Sequence, residues 1–131
     1  MKVRFLTDPK VQLSGKANWI LLEDFPCEIW REGQTPLIVK VRKGFDTDLA
    51  SVPRLPGAYM LFGGKARRAA ILHDWLYSIG WDRKEADEIF RIGTEQEASA
   101  VTAWFMWLGV RVGGSWVYAK KKDSDVDNRH F

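Results

Sequence analysis

The sequence predicts an α+β fold with a small N-terminal antiparallel sheet, a long ordered loop and three packed helices. Apolar and polar residues alternate in the first part of the chain, whereas Ala- and Leu-rich segments with helical spacing fill the second half. A segment rich in glycine and proline separates the two parts. The 131 residues suit one domain, which we place at residues 1–119, followed by a polar tail at residues 120–131.

The strand predictions depend on short apolar segments in the first half. KVRFL alternates, and NWILLEDFPCEIWRE contains two apolar runs around the polar pair Glu23-Asp24. LIVKVRKGF places Leu37, Val39 and Val41 on one face, which is the period-two pattern of a half-buried strand. A small antiparallel sheet accounts for these segments.

Residues 44–65 form the connection between the sheet and the helices. The connection is long and irregular, and such connections in compact domains are commonly functional or disordered. Its apolar residues favour order: Leu49, Val52, Leu55, Tyr59, Leu61 and Phe62.

Thr47, Asp48 and Ser51 lie near the start of this connection. One interpretation is a turn and helix cap, in which Asp48 or Ser51 bonds backbone N–H groups. The other interpretation places Asp48 near His73, as a further ligand or orienting residue.

The helix predictions depend on caps and on apolar stripes. KARRAAILHDWLYSIG begins after two glycines and stops at Gly80, and DRKEADEIFRIG begins at Asp82, whose carboxylate can accept from the N–H of Glu85. Glu85 can reach back, as in a capping box. The inner stripe of this second helix is Ala86, Ile89, Phe90 and Gly93.

A third helix is predicted from about Glu95 to Arg111, and the GGSW segment should end it. Its inward stripe is predicted from residues spaced three or four apart: Ala98, Val101, Phe105, Leu108 and Val112. Its apolar run, residues 100–110, is well below the roughly 20 residues that a membrane span needs. We therefore expect a buried helix and no transmembrane segment.

Composition limits the function classes. The net charge of +3 is too small to indicate a nucleic-acid partner. The single cysteine, Cys27, excludes an intrachain disulfide, and no basic neighbour in the sequence would activate its thiol, so we expect a structural role. No signal peptide is recognised at the N-terminus, and the lack of disulfides fits a reducing compartment.

His73 and Asp74 are the unusual residues, because they sit side by side in a helix that is otherwise built to be buried. His73, Asp74 and Tyr77 should form one polar strip, since residues three and four apart share a helix face. The tight turn SIGWD folds the next helix back, so Asp87 can face His73.

This geometry suits hydrolytic chemistry. A histidine that activates water needs a carboxylate on its far nitrogen, to fix the tautomer and stabilise the imidazolium. Asp87 could fill that role, and Asp74 could hold a hard cation that polarises a carbonyl or phosphoryl oxygen. The competing interpretation is a structural network around a core histidine.

HDWLY followed by ADEIF resembles the two-helix active site of phospholipase A₂ enzymes, whose viral capsid versions also read Ala-Asp in the second helix. The resemblance implies that His73 is the general base and that Asp74 binds Ca²⁺. It further implies that Tyr77 and Asp87 hydrogen-bond to the catalytic pair. PGAYMLFGGK, residues 56–65, is the candidate for the calcium loop.

A second resemblance spans roughly residues 37–116. GFDTDLASVPR, AAILHDWLY, RKEADEIF and MWLGVRVGGSW together resemble a family of small uncharacterised proteins from tailed bacteriophages and prophages. This resemblance implies a phage origin, with host cytoplasm or virion as the location. The expected function is a metal-assisted ester hydrolase acting on lipid of the host envelope; the alternative is a non-enzymatic virion or tail component that contacts other virion proteins.

Overall fold

A computed structural model of the protein describes residues 1–14, 18–47 and 67–124, and it describes the side chains of the last helix as far as residue 114. Most of the predicted loop, together with Asp48, Ser51 and the candidate calcium loop, lies outside the described residues.

The described residues form six strands followed by three helices. The strands are β1 (Lys2–Phe5), β2 (Val11–Ser14), β3 (Asn18–Leu21), β4 (Phe25–Trp30), β5 (Leu37–Val41) and β6 (Asp46–Thr47). The helices are α1 (Arg67–Ser78), α2 (Arg83–Glu97) and α3 (Ala100–Ser124). The predicted α+β class is confirmed, with the sheet preceding the helices.

The strands of the described chain form two small antiparallel sheets, with the orders β1-β4-β5 and β2-β3-β6. The chain leaves the second sheet and enters the first at the polar pair Glu23-Asp24, which separates β3 from β4. Cys27 lies at the middle of the first sheet, opposite Phe5 on one side and Val39 on the other.

One face of the first sheet forms the core on which the helices rest. Phe25, Cys27 and Ile29 alternate with more exposed residues along β4, and Val39 and Val41 are buried beside them on β5. Leu37, which was predicted to share that face, is exposed at the strand end. Burial raises the pKa of the Cys27 thiol, so this side chain is a neutral core group.

The turn between α1 and α2 makes the helices antiparallel neighbours. Gly80 adopts a φ of +76°, a backbone conformation that favours glycine. Asp82 then caps α2 by accepting from the N–H of Glu85 at 2.9 Å, as predicted. The Glu85 side chain does not complete a capping box; it accepts from Arg31 and from Trp81 instead.

The boundary between α2 and α3 differs from the prediction. α2 continues to Glu97, Ala98 is extended, and Ser99 Oγ accepts from the N–H of Thr102 at 3.1 Å at the start of α3. α3 then passes through Gly113 and Gly114 to residue 124, so the GGSW segment does not end it and the predicted tail begins within a helix.

The predicted inward face is confirmed for α2 and is wrong for α3. The predicted stripe of α2 is buried: Ala86, Ile89, Phe90 and Gly93. The predicted stripe of α3 is wrong, because four of its members are exposed: Val101, Phe105, Leu108 and Val112. The buried face carries Ala103, Met106 and Val110.

The rotation of α3 follows from contacts that the apolar run of residues 100–110 does not reveal. Small Ala103 and Gly114 lie on the buried face, where they permit close approach to the neighbouring helices. Arg111 of the same helix reaches the buried Asp87.

Among the described residues, no helix combines the length and the apolar character that a membrane span requires.

Candidate functional site

The antiparallel helices α1 and α2 bring His73 and Asp87 together. His73 Nε2 lies 2.6 Å from Asp87 Oδ1, so the predicted contact is confirmed. Both side chains are buried, with exposed fractions of 1% and 0%. Asp87 reaches this position because it lies next to Ala86 on the inward stripe of α2.

Two further side chains bind the Asp87 carboxylate. Tyr77, one turn after His73 on α1, donates its hydroxyl to Oδ1. Arg111 of α3 donates from Nη1 to Oδ2 at 2.8 Å. All three helices therefore meet at one carboxylate.

Arg83 holds α3 beside this carboxylate. Its Nη2 donates to the carbonyls of Val110 and Arg111 at 2.9 and 2.8 Å, and its Nε lies 4.0 Å from Asp87 Oδ2. A Cβ placed on Gly114 would lie 2.8 Å from the Tyr77 hydroxyl and 3.1 Å from Arg83 Nη2. The helices can approach this closely because residue 114 has no side chain.

The electrostatics of the site keep Asp87 ionised. Burial alone would raise its pKa, but hydrogen bonds from His73, Tyr77 and Arg111 outweigh burial and lower the pKa below its ordinary value of 3.8. The pKa of Tyr77 is raised by burial and then by the Asp87 carboxylate. Tyr77 thus remains a neutral hydroxyl donor.

The imidazole of His73 is held in one orientation with one nitrogen left over. Its ring packs against Tyr77 and Phe90, with ring centroids 4.2 and 4.8 Å away. Nε2 faces Asp87, whereas Nδ1 is buried and has no hydrogen-bond partner among the described residues. With the proton on Nε2, Nδ1 is an acceptor.

Asp74 belongs to a different contact. It is buried, and its Oδ2 accepts from the Thr47 hydroxyl of β6. The predicted single strip is therefore divided, since His73 and Tyr77 meet Asp87 while Asp74 meets Thr47. The division follows from helix geometry, because adjacent residues point about 100° apart.

The described residues do not assemble a calcium site. Within residues 1–14, 18–47 and 67–124, no three His, Cys, Asp or Glu side chains lie together as a possible metal group. Asp74 is the carboxylate that the phospholipase resemblance assigns to Ca²⁺. The other sequence candidates, Asp48 and Ser51, lie outside the described residues.

Sequence reasoning missed Arg83 and Arg111. In the sequence, Arg111 marks only the predicted end of a helix, although it is an isolated charge after the apolar residues 100–110. An isolated charge in a core segment requires a partner, which is the argument that singled out His73. That argument would have paired Arg111 with a buried carboxylate.

Comparison with known proteins gives one family. A family model described as "Protein of unknown function (DUF1353)" matches residues 19–110, a range that includes both sheets in part, α1, α2 and the first half of α3. Searches of curated proteins and of solved structures give no match to the chain.

Proposed function

The chain belongs to the DUF1353 family, and we propose that it is a phage-encoded hydrolase in which His73 and Asp87 form a general-base site for ester hydrolysis. The substrate class is an ester of the host envelope, such as a phospholipid. The corresponding location is the host cytoplasm or the virion.

The orientation of His73 carries this proposal. Nε2 donates to a carboxylate that remains ionised, and Nδ1 is an acceptor with no hydrogen-bond partner in the part of the chain that the structure describes. In the proposed step, Nδ1 takes a proton from a water molecule as the water oxygen attacks the ester carbonyl. The Asp87 carboxylate stabilises the resulting imidazolium, and the proton later goes to the departing alkoxide.

Tyr77 and Arg111 support the step without touching the reacting atoms. Both donate to Asp87, one to each carboxylate oxygen, and so fix the plane in which Asp87 faces the imidazole. We assign Asp74 as the carboxylate that would bind Ca²⁺, as the phospholipase resemblance implies. Because the described residues do not complete a calcium site, no step above depends on the ion.

Burial favours a second candidate function, a non-enzymatic virion or tail component. The His73 and Asp87 side chains are 1% and 0% exposed, as expected for a network that joins three helices in a core. In that function, the His73–Asp87 hydrogen bond would fix how the helices pack, and contacts with other virion proteins would use the outer surface.

The substitution His73→Gln separates the two functions. A Gln amide can still donate to Asp87, but it cannot take a proton from water. For a hydrolase, we expect fatty-acid release from mixed phospholipid vesicles, measured with and without millimolar Ca²⁺, to fall about 10²- to 10⁴-fold. The melting temperature should change little, because the bond to Asp87 is kept.

Thr94→Val is the matched control. Like His73, Thr94 is buried, but it lies on α2, and its hydroxyl has no partner among the described residues. This variant should keep full activity. Wild-type protein that releases no fatty acid under either metal condition, together with a His73→Ala variant destabilised by about 1–3 kcal/mol, would establish the structural network instead.

A further inference from the structure

α3 presents apolar residues on two opposite faces. One face, with Ala103, Met106 and Val110, is buried against the other helices. The outer face, here called the α3 outer face, is exposed over about three turns. Its residues and their exposed fractions are Val101 (67%), Trp104 (48%), Phe105 (53%), Leu108 (37%) and Val112 (77%).

The α3 outer face is more apolar than an ordinary solvated helix surface. Residues 100–110 contain no Asp, Glu, Lys or Arg. Trp104 and Phe105 pack edge to face with ring centroids 5.2 Å apart, so the patch has an aromatic centre. A helix that is apolar on all sides is normally buried, and a contiguous exposed patch of this kind marks an interaction surface.

We propose that the occupant of the α3 outer face is a second copy of this chain, whose α3 packs antiparallel across a twofold axis. If the axis passes midway between residues 106 and 107, Val101 lies opposite Val112 of the second copy, and Phe105 lies opposite Leu108 of the second copy. The face is thus complementary to itself, as an isologous interface requires.

Charge and area both suit this occupant. Residues 100–110 carry no charge, so the face meets its own copy without like-charge repulsion. The exposed parts of the five side chains amount to on the order of 500 Å² in each copy. Complete burial of both faces would remove about 1,000 Å² from water, which is at the lower bound for a specific interface.

The register gives a charge-swap experiment on the full chain. The Phe105→Lys/Leu108→Lys variant should be monomeric in sedimentation velocity at concentrations where wild type is dimeric, and so should Phe105→Glu/Leu108→Glu. Mixing the two variants should restore a dimer, because each Lys then faces a Glu. Leu13→Lys is the matched control, since Leu13 on β2 is 56% exposed and should leave the dimer unchanged.

Three outcomes of this experiment would overturn the proposal. A monomeric wild type at about 100 μM would overturn it, whether or not that monomer binds phosphatidylglycerol vesicles. So would a dimer that survives both charged variants, or variants that fail to pair on mixing while their circular dichroism spectra match wild type.

Discussion

At the scale of the residue, Asp87 organises the site. A buried carboxylate is unfavourable unless hydrogen bonds and opposite charge replace the lost water, and here His73 and Tyr77 share Oδ1 while Arg111 binds Oδ2. The same contacts that make Asp87 tolerable in the core also make it a fixed anion beside an imidazole. Stability and the proposed catalysis therefore depend on one protonation state.

The first prediction concerns acid stability. Asp87 has a pKa lowered below 3.8 in the folded protein, so its stabilising contribution is present above that pH and is lost as the pH falls through the folded-state pKa. We expect Asp87→Asn to be less stable at neutral pH and to lose less stability on acidification. The measurement is urea unfolding from pH 7 to pH 3.

Asp82→Asn is the control, because Asn caps helices as well as Asp does and Asp82 lies on the same helix outside the site. Some acid dependence should remain in Asp87→Asn, since the pKa of Glu85 is also lowered, chiefly by its hydrogen bond from Arg31. Identical pH dependence in wild type and Asp87→Asn would show that the carboxylate is not held ionised by these contacts.

At the scale of the element, α3 was correctly predicted to be a helix, but the wrong face of it was predicted to be buried. Because residues 100–110 are all uncharged and mostly apolar, more than one stripe fits a period of 3.6. The rotation of α3 about its axis is set by two contacts, one between Arg111 and Asp87 and one between Gly114 and Tyr77. Those contacts join residues 24 or more positions apart, so local spacing could not reveal them.

The other helices could be predicted because their signals are local. Asp82 caps α2 within its own first turn, and the inward stripe of α2 alternates with charged residues. His73 and Asp87 followed from the short turn between α1 and α2, which leaves little freedom in how the helices face each other. His73 contacts Asp87, whereas Asp74 contacts Thr47. The second contact depends on the position of β6, which local sequence patterns do not predict.

The second prediction compares the neighbouring glycines of α3. Alanine at position 113 meets no described atom within 4 Å, whereas alanine at position 114 meets the Tyr77 hydroxyl and Arg83. Both substitutions gain similar helix propensity, so that gain cancels in the comparison. We expect Gly114→Ala to be less stable than Gly113→Ala by about 1–3 kcal/mol in chemical denaturation. Equal stabilities would contradict the close approach of α3 to the site.

At the scale of the whole molecule, Phe5 is one of the residues through which the first sheet contacts the helices. Its ring stacks on Phe25 at 5.9 Å, and the Arg68 guanidinium lies 5.7 Å from it. Near this point Gln96 of α2 donates to the carbonyl of Val3. Alternation predicted that β1 is a strand, but its pairing with β4 rather than β2 is a long-range choice that alternation does not encode.

The last prediction tests this joint by a double-mutant cycle. A Cβ on Gly93 of α2 would lie 2.9 Å from Phe5 Cζ and 3.2 Å from Ala69 Cβ, so Gly93→Ala presses the ring between α1, α2 and the sheet. Overpacking of this kind costs about 1–3 kcal/mol. Phe5→Leu removes the Cζ atom that the added methyl group would contact. In that background, Gly93→Ala should destabilise the protein less, or should stabilise it, because it gains up to about 1 kcal/mol in helix propensity.

The measured quantity is the coupling free energy between the two substitutions, from urea unfolding of wild type, both single variants and the double variant. We expect a favourable coupling of about 0.5–3 kcal/mol, as for residues in direct contact. Gly113→Ala replaces Gly93→Ala in the control cycle, and it should show additivity with Phe5→Leu because none of the described residues lies within 4 Å of its added methyl group. Additivity in the Gly93 cycle would mean that the Phe5 ring does not pack against Gly93 of α2.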